Sequence, residues 1–274
     1  MSRALDGRSG RSGRSGRSGL NGLSVLEDRT ALVTGSSRGI GAAIAELFAL
    51  AGARVVVHGR DADAAESVRA RIEAAGGTAV AVTADLTRHA EVEALRARAE
   101  AEFGPVDTVV ANVGGNPVPP RPVEEMTEEE WRAGVDANLT TTFLTVKAFL
   151  PGMKQRGRGC LVTMSSAAAR RVDAHSPAGY AAAKAGIEML TKDLAAQAGP
   201  FGVRVNCLAP ETILTERNTR MIPAEVRQRL IAEHPLRRLG TPEDVAQAAL
   251  YLAADTSSWV SGIVLDVAGG SVLV

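Results

Sequence analysis

Seven short apolar runs separated by helical stretches constrain this chain more than any other feature. The runs are Thr30–Thr34, Arg54–His58, Ala79–Thr83, Asp107–Ala111, Cys160–Ser165, Arg204–Ala209 and residues 263–267. Between them the spacing predicts helices over Ile40–Ala51, 62–75, 88–102, 128–155, 177–198 and 242–254. Strands this short that stay apolar throughout are covered on both faces. Helical crossovers between them make the sheet parallel and the crossovers right-handed. The fold class is therefore α/β, with a doubly wound parallel sheet and helices on both faces, and ligands are expected at the carboxyl ends of its strands.

The chain has 274 residues, of which 45% are apolar and only 3% aromatic. Such a composition suits close helix-on-sheet packing and argues against a platform for stacked bases. The net charge is zero but uneven, because residues 1–19 carry five arginines against Asp6 and leave the remainder acidic. A mildly acidic body excludes a general nucleic-acid binder. Residues 8–19 are four copies of Arg-Ser-Gly, a segment with nothing to bury, so residues 1–23 are expected to be a disordered extension. Residues 24–274 then form one domain. Cys160 and Cys207 lie in strand-like runs and read as buried free thiols, with no metal spacing. No apolar run approaches a membrane span and no secretory segment is visible, so a cytoplasmic location is expected. His58, His89, His175 and His234 also lack metal-ligand spacing; surface or supporting roles are expected, and His175 could line a substrate pocket.

Two local patterns carry chemistry. The first strand ends in Thr34-Gly35-Ser36-Ser37-Arg38-Gly39-Ile40-Gly41. Glycines there permit a tight turn, and the helix that follows offers amide donors to a phosphate. The second strand ends in His58-Gly59-Arg60, where an acidic residue would bind a ribose 2′-hydroxyl. Gly59 supplies no carboxylate, whereas Arg60 and Arg38 suit a 2′-phosphate. NADP is therefore favoured over NAD, with Asp61 able to blunt the preference. The second pattern is Tyr180 and Lys184, one turn apart on a predicted helix. An ammonium beside a phenol favours phenolate and is expected to lower the Tyr180 pKa, which would make it a proton donor and acceptor near neutrality. Alone, the pair is far better explained by two solvated surface neighbours.

Together these motifs resemble the short-chain dehydrogenase/reductase family, of Rossmann type with about seven strands, over nearly all of residues 26–274. The 3-oxoacyl-(acyl-carrier-protein) reductases are among the similar enzymes. Further matches are Asp85 after the third strand, Asn112-Val113-Gly114 after the fourth, Met164-Ser165-Ser166 after the fifth, Arg238 to Asp244, and Asp266-Val267-Ala268-Gly269-Gly270. The resemblance implies an NADP(H)-dependent ketone/alcohol oxidoreductase with Asn138, Ser166, Tyr180 and Lys184 as its catalytic tetrad. Tyr180 would be the acid in reduction and the base in oxidation. Lys184 would tune it and bind the nicotinamide ribose, Ser166 would donate to the carbonyl oxygen, and Asn138 would hold a water. Ser166 rather than Ser165 is preferred because the family's serine usually ends this pair.

Cofactor contacts implied by the resemblance are Gly35, Ser37, Arg38, Gly39, Ile40, Gly41 and Arg60 around the phosphates. Asp85, Leu86, Asn112 and Gly114 would face the adenosine, and Pro210, Ile213 and Thr215 would join Tyr180 and Lys184 around the nicotinamide. One departure is Glu211, where the family usually has glycine; it would either steer substrate choice or point to solvent, the second being favoured. Residues 211–236 occupy the variable substrate lid. Phe201 stands where carrier-protein reductases often have a basic residue, leaving Arg156, Arg158, Arg170 and Arg171 to meet an acidic carrier. Relatives pair the helices at 128–155 and 177–198 into tetramers, which implies a homotetramer. Three readings result: a ketone/alcohol oxidoreductase, a 3-oxoacyl-carrier reductase, and a dinucleotide-sensing protein without chemistry, against which the intact tetrad argues. No metal is implied.

Overall fold

A computed structural model describes residues 24–172 and 176–273. The Arg-Ser-Gly segment and His175 lie outside the described residues. The seven strands are β1 (Thr30–Val33), β2 (Arg54–Gly59), β3 (Thr78–Thr83), β4 (Thr108–Ala111), β5 (Gly159–Met164), β6 (Val203–Pro210) and β7 (Val264–Val267). They form one sheet in the order β3-β2-β1-β4-β5-β6-β7, with every pairing parallel. The chain winds outward from β1 to β3, then crosses back to β4 and winds the other way. The crevice at the carboxyl ends of β1 and β4 is thus the point of reversal, where such sheets bind ligands.

Alternate residues of each strand feed opposite cores, as a pleat requires. Ala31, Val33, Val55, Val57, Cys160 and Val162 pack on one face with Ile44 and Phe48 of α1 (Gly39–Leu50), Ile72 of α2 (Ala62–Ala74) and Leu252 of α9 (Pro242–Ala253). Leu32, Val56 and Leu161 pack on the other with Leu95 of α3 (His89–Phe103), Phe149 and Met153 of α5 (Thr141–Arg156) and Leu194 of α6 (Ala178–Ala198). Cys160 and Cys207 are both buried free thiols.

The helix expected over 128–155 is interrupted. Helix α4 (Glu128–Val135) passes through a π-helical turn at Asp136–Thr140 before α5 begins. Asn138 explains the break. Its Nδ2 donates to Gly134 O (2.9 Å), the carbonyl that the backbone N–H of residue 138 would meet in a regular α-helix. Residues 211–236, expected to form the lid, contain two short helices, α7 (Glu216–Met221) and α8 (Ala224–Glu233), and neither has a buried residue.

Candidate active site

Helix α6 presents Tyr180 and Lys184 on one face at the carboxyl end of β5. Lys184 is buried. Its Nζ donates to Met164 O at the end of β5 (2.7 Å) and lies 5.6 Å from the centre of the Tyr180 ring. Burial lowers the Lys184 pKa to about 8. Burial also pushes the Tyr180 phenol up, opposed by a hydrogen bond from Ser166. The expectation that Lys184 depresses the tyrosine therefore does not hold in this geometry. The ammonium is turned to a strand carbonyl, and desolvation weighs more on the phenol than the cation does.

The two serines have separate work. Ser165 is buried, and its single O–H lies within reach of two acceptors, Lys184 O (3.1 Å) and Glu188 Oε1 (2.8 Å). Ser166 Oγ accepts from Ala168 N (3.2 Å) and is the hydroxyl that meets Tyr180. Across the crevice, the Asn138 side chain grips Gly115 twice: Oδ1 accepts from its N–H (3.0 Å) and Nδ2 donates to its carbonyl (2.8 Å). Gly114 sits between. A Cβ there would lie 2.6 Å from Asn138 Oδ1 and 3.0 Å from Lys184 Nζ, so only glycine lets these two polar atoms converge.

At the carboxyl end of β1 the glycine turn is braced from three sides. Asn112 Nδ2 donates to Thr34 O (2.9 Å) and Gly35 O (3.2 Å), tying β4 to the turn. Ser36 Oγ donates to Val33 O (2.6 Å) and accepts from the N–H of His58 (2.9 Å). The His58 ring is buried; its Nδ1 accepts from Gly35 N (3.0 Å) while Nε2 donates to Ala84 O (3.1 Å). Those two partners fix the neutral Nε2–H tautomer, and burial holds the His58 pKa below the usual histidine value. Gly35 N–H is consequently occupied within the fold. Gly35 and Asn112, both expected among the cofactor contacts, also shape the turn from inside through these bonds.

The residues expected to choose the cofactor are at the surface. Arg38 NH2 pairs with Asp61 Oδ2 at 3.0 Å, both side chains being exposed. Arg60 is exposed beside them. Gly59 packs against Ser37, whose Cβ and Oγ would each lie 2.8 Å from an added Cβ. Asp85 accepts from the backbone N–H (3.0 Å) and hydroxyl (2.7 Å) of Thr87, chiefly the hydroxyl, which holds its carboxyl below the ordinary aspartate value. The Leu86 and Ile213 side chains are buried in the two cores, so only their backbones can face a ligand. Pro210 ends β6. Thr215 caps α7 through Asn218 N (3.2 Å) and packs its methyl group on Gly39.

Glu211 does not point to solvent. Its side chain is 9% exposed and meets Arg171 NH2 (2.8 Å) and His234 Nε2 (2.7 Å), as well as its neighbour's N–H at Thr212. Three donors around one carboxylate outweigh its hydration. The arginines considered for an acidic carrier are likewise engaged. Arg156 donates to Val106 O (2.7 Å), Arg158 pairs with Asp107 (3.1 Å), and Arg170 bridges Glu188 and Asp266, each at 3.2 Å. No signal in the sequence marked His58 or His234 as buried; a histidine ending an apolar run, as His58 does, was the nearest hint.

These residues fit a nicotinamide dinucleotide. Helix α1 behind the glycine turn has no side-chain cap, as is also true of α3, α6 and α8; its place at the sheet reversal sets it apart. Its first-turn amides are directed into the crevice at the point of sheet reversal, as a pyrophosphate requires. Among the described residues no His/Cys/Asp/Glu group could hold a metal ion and no helix is long and apolar enough to cross a membrane.

Residues 35–271 match the family model described as enoyl-(acyl carrier protein) reductase. The chain is 38% identical over 247 residues to 7α-hydroxysteroid dehydrogenase of Escherichia coli K12, covering 90% of this chain and 95% of that protein. Among solved structures, a 3-oxoacyl-[acyl-carrier protein] reductase with bound NAD from Brucella melitensis superposes with a TM-score of 0.84 at 36% identity, over 97% of this chain and 99% of the other. A gluconate 5-dehydrogenase from Burkholderia cenocepacia J2315 in complex with NADP and tartrate gives 0.85 at 32% identity, over 92% and 98%.

Proposed function

The chain belongs to the short-chain dehydrogenase/reductase family and is an oxidoreductase acting on CH–OH groups with a nicotinamide dinucleotide, and from that premise we propose that it interconverts a ketone and a secondary alcohol with NADP(H) through Asn138, Ser166, Tyr180 and Lys184. The observation that carries this reading is convergence. Ser166 just past β5, the Tyr180 ring with Lys184 Nζ 5.6 Å from its centre, and Asn138 Oδ1 beside Gly114 all gather at the carboxyl ends of β4 and β5.

The dinucleotide, when bound, supplies or accepts the hydride at its nicotinamide. The chain handles the proton. In reduction, Tyr180 donates its phenolic proton to the carbonyl oxygen while Ser166 donates a hydrogen bond to the same oxygen as charge develops. In oxidation, Tyr180 takes the proton back. Lys184 and Asn138 direct polar atoms to one point above Gly114, where a bound water would return the proton to Tyr180 by way of Lys184. The uncapped first turn of α1, with Ser37, Arg38, Gly39, Ile40 and Gly41, would hold the pyrophosphate. Arg60 with Arg38 would hold the 2′-phosphate, and Asp85 would meet the adenine. Residues 24–274 act as one domain and residues 1–23 as its extension.

Tyr180→Phe tests the assignment. Turnover in a screen of ketones and secondary alcohols, followed by NADPH absorbance, should fall by about 100-fold or more, with NADPH binding retained. Surviving activity would remove Tyr180 from the proton path. A carrier reductase is the less favoured reading, because Arg156, Arg158, Arg170 and Arg171 all have partners within the chain. A homotetramer is supported by Phe143 of α5 and Met189 of α6, large apolar side chains left exposed on the helices expected to pair. A monomer in light scattering at micromolar concentration would refute it.

A further inference from the structure

The lid is held by its base and not by a core. Neither α7 nor α8 buries a residue, so the fastenings of residues 212–239 determine where they lie. At the near end the backbone closes the segment. Leu214 N donates to Gly240 O (2.8 Å), Gly240 N to Thr212 O (3.2 Å), and Ile213 pairs with Gly240 in a parallel bridge. The far end, after α8, is tied by Leu236 N to Gly269 O (3.2 Å), by the buried ring of His234 and by the pair of Arg238 with Asp244.

Both nitrogens of that ring face acceptors. Nδ1 lies 2.6 Å from Leu230 O and Nε2 lies 2.7 Å from Glu211 Oε2. A neutral imidazole has one N–H and can satisfy only one of them. The acceptor at Nε2 is a carboxylate that accepts from Arg171 and Thr212 as well. Arg171 belongs to the segment that joins Ser166 to α6. Glu211 therefore connects the lid's first residue, its far end and the segment carrying the hydroxyl of the site. The other charges around the adjoining cavity of about 230 Å³ are Arg238 and Asp244, which pair with one another, and Asp266, which pairs with Arg170.

We propose that Glu211 and His234 form a hydrogen-bonded latch that fixes the substrate lid, and that both are positioning residues which set how well substrate is held without touching the reacting atoms. The kinetic consequence rests on the oxidoreductase reading; the structural one does not. Glu211→Gln removes the charge, and His234→Asn removes one end of the span. Hydrogen exchange of the free protein should show amides of residues 212–236 exchanging about 10-fold faster in either variant, while β1, β4 and β5 keep their protection. The double variant should be no faster than the single ones, because one interaction is lost in all three.

With an identified alcohol substrate, its KM should rise several-fold with kcat changed less, and NADPH affinity should stay the same. Unchanged exchange in both single variants, or additive effects in the double, would overturn the latch. Faster exchange with no change in substrate KM would keep the latch and overturn its link to substrate. Should Glu211→Gln fail to fold, His234→Asn and His234→Gln carry the same comparison, with Gln restoring part of the protection through its longer amide NH2.

Discussion

The backbone N–H of Gly35, first residue of the glycine turn, donates to Nδ1 of His58 at the end of β2, 3.0 Å away. The same ring donates from Nε2 to Ala84 O past the end of β3, so one imidazole sets three strand ends in register beneath the proposed pyrophosphate site. His58→Leu would leave two buried backbone groups without partners, at a cost of about 1–3 kcal/mol each. Dinucleotide affinity, titrated by fluorescence, should fall about 10-fold or more while kcat at saturation changes little. There is a pH signature as well. Burial lowers the His58 pKa in the fold, so below about pH 6.5 the unfolded chain takes up a proton that the folded chain refuses. The stability that His58 contributes is complete above that pH and is lost as pH falls toward the folded-state value. Urea titrations between pH 7 and 5 should show this decline in the wild type and a shallower one in His58→Leu.

Cofactor choice is sterically guarded. An acidic selector at position 59 would place its Cβ 2.8 Å from Ser37, inside any normal contact. Gly59→Asp alone should therefore weaken NADPH and NADH together, by displacing the turn. Gly59→Asp with Ser37→Gly should bind NADH in preference, because the clash is relieved and the carboxylate repels a 2′-phosphate. Arg60→Ala should reduce NADPH affinity, by about 10-fold, and leave NADH affinity as it was. Calorimetric titration of the four proteins with both dinucleotides measures each of these; a single Gly59→Asp that switches cleanly would show that the turn yields without cost.

Apolar periodicity carried most of the fold. Every strand, and every core helix except the interrupted one expected over 128–155, lies within a few residues of where spacing put it, because burial on both faces leaves few alternatives for runs such as Leu32 or Val56. The four residues proposed as the tetrad could be named from residue types together with the family resemblance. The polar bonding around them was not legible. The π-turn at Asn138 arises from a side chain that replaces a backbone donor, and helical periodicity does not register that exchange. Glu211 read as solvent-facing because its partners Arg171 and His234 lie 40 and 23 residues away, a separation at which a sequence names no contact. His58 was hidden for the same reason. The Tyr180 pKa was misjudged because spacing supplies the neighbouring charge but not the desolvation that both groups undergo together.

Lys184 should be a stability liability that the site retains for its chemistry. Its pKa falls from 10.5 to about 8 on burial, so below pH 8 the folded chain holds a cation at a cost of about 3 kcal/mol. Between about pH 8 and 10.5 the unfolded chain binds the proton more tightly than the folded one, and wild-type stability rises with pH through that window. Lys184→Met removes the charge and also the donor to Met164 O, a loss of about 1–2 kcal/mol. The variant should thus be more stable than the wild type at pH 7, by about 1–2 kcal/mol, and less stable at pH 10.5, where the neutral amine still bonds Met164. Turnover should fall at both pH values. Denaturant titrations at the two pH values decide the matter: a variant less stable at both would mean that the ammonium is better solvated by its surroundings than its burial indicates, and that the site keeps Lys184 at no energetic cost.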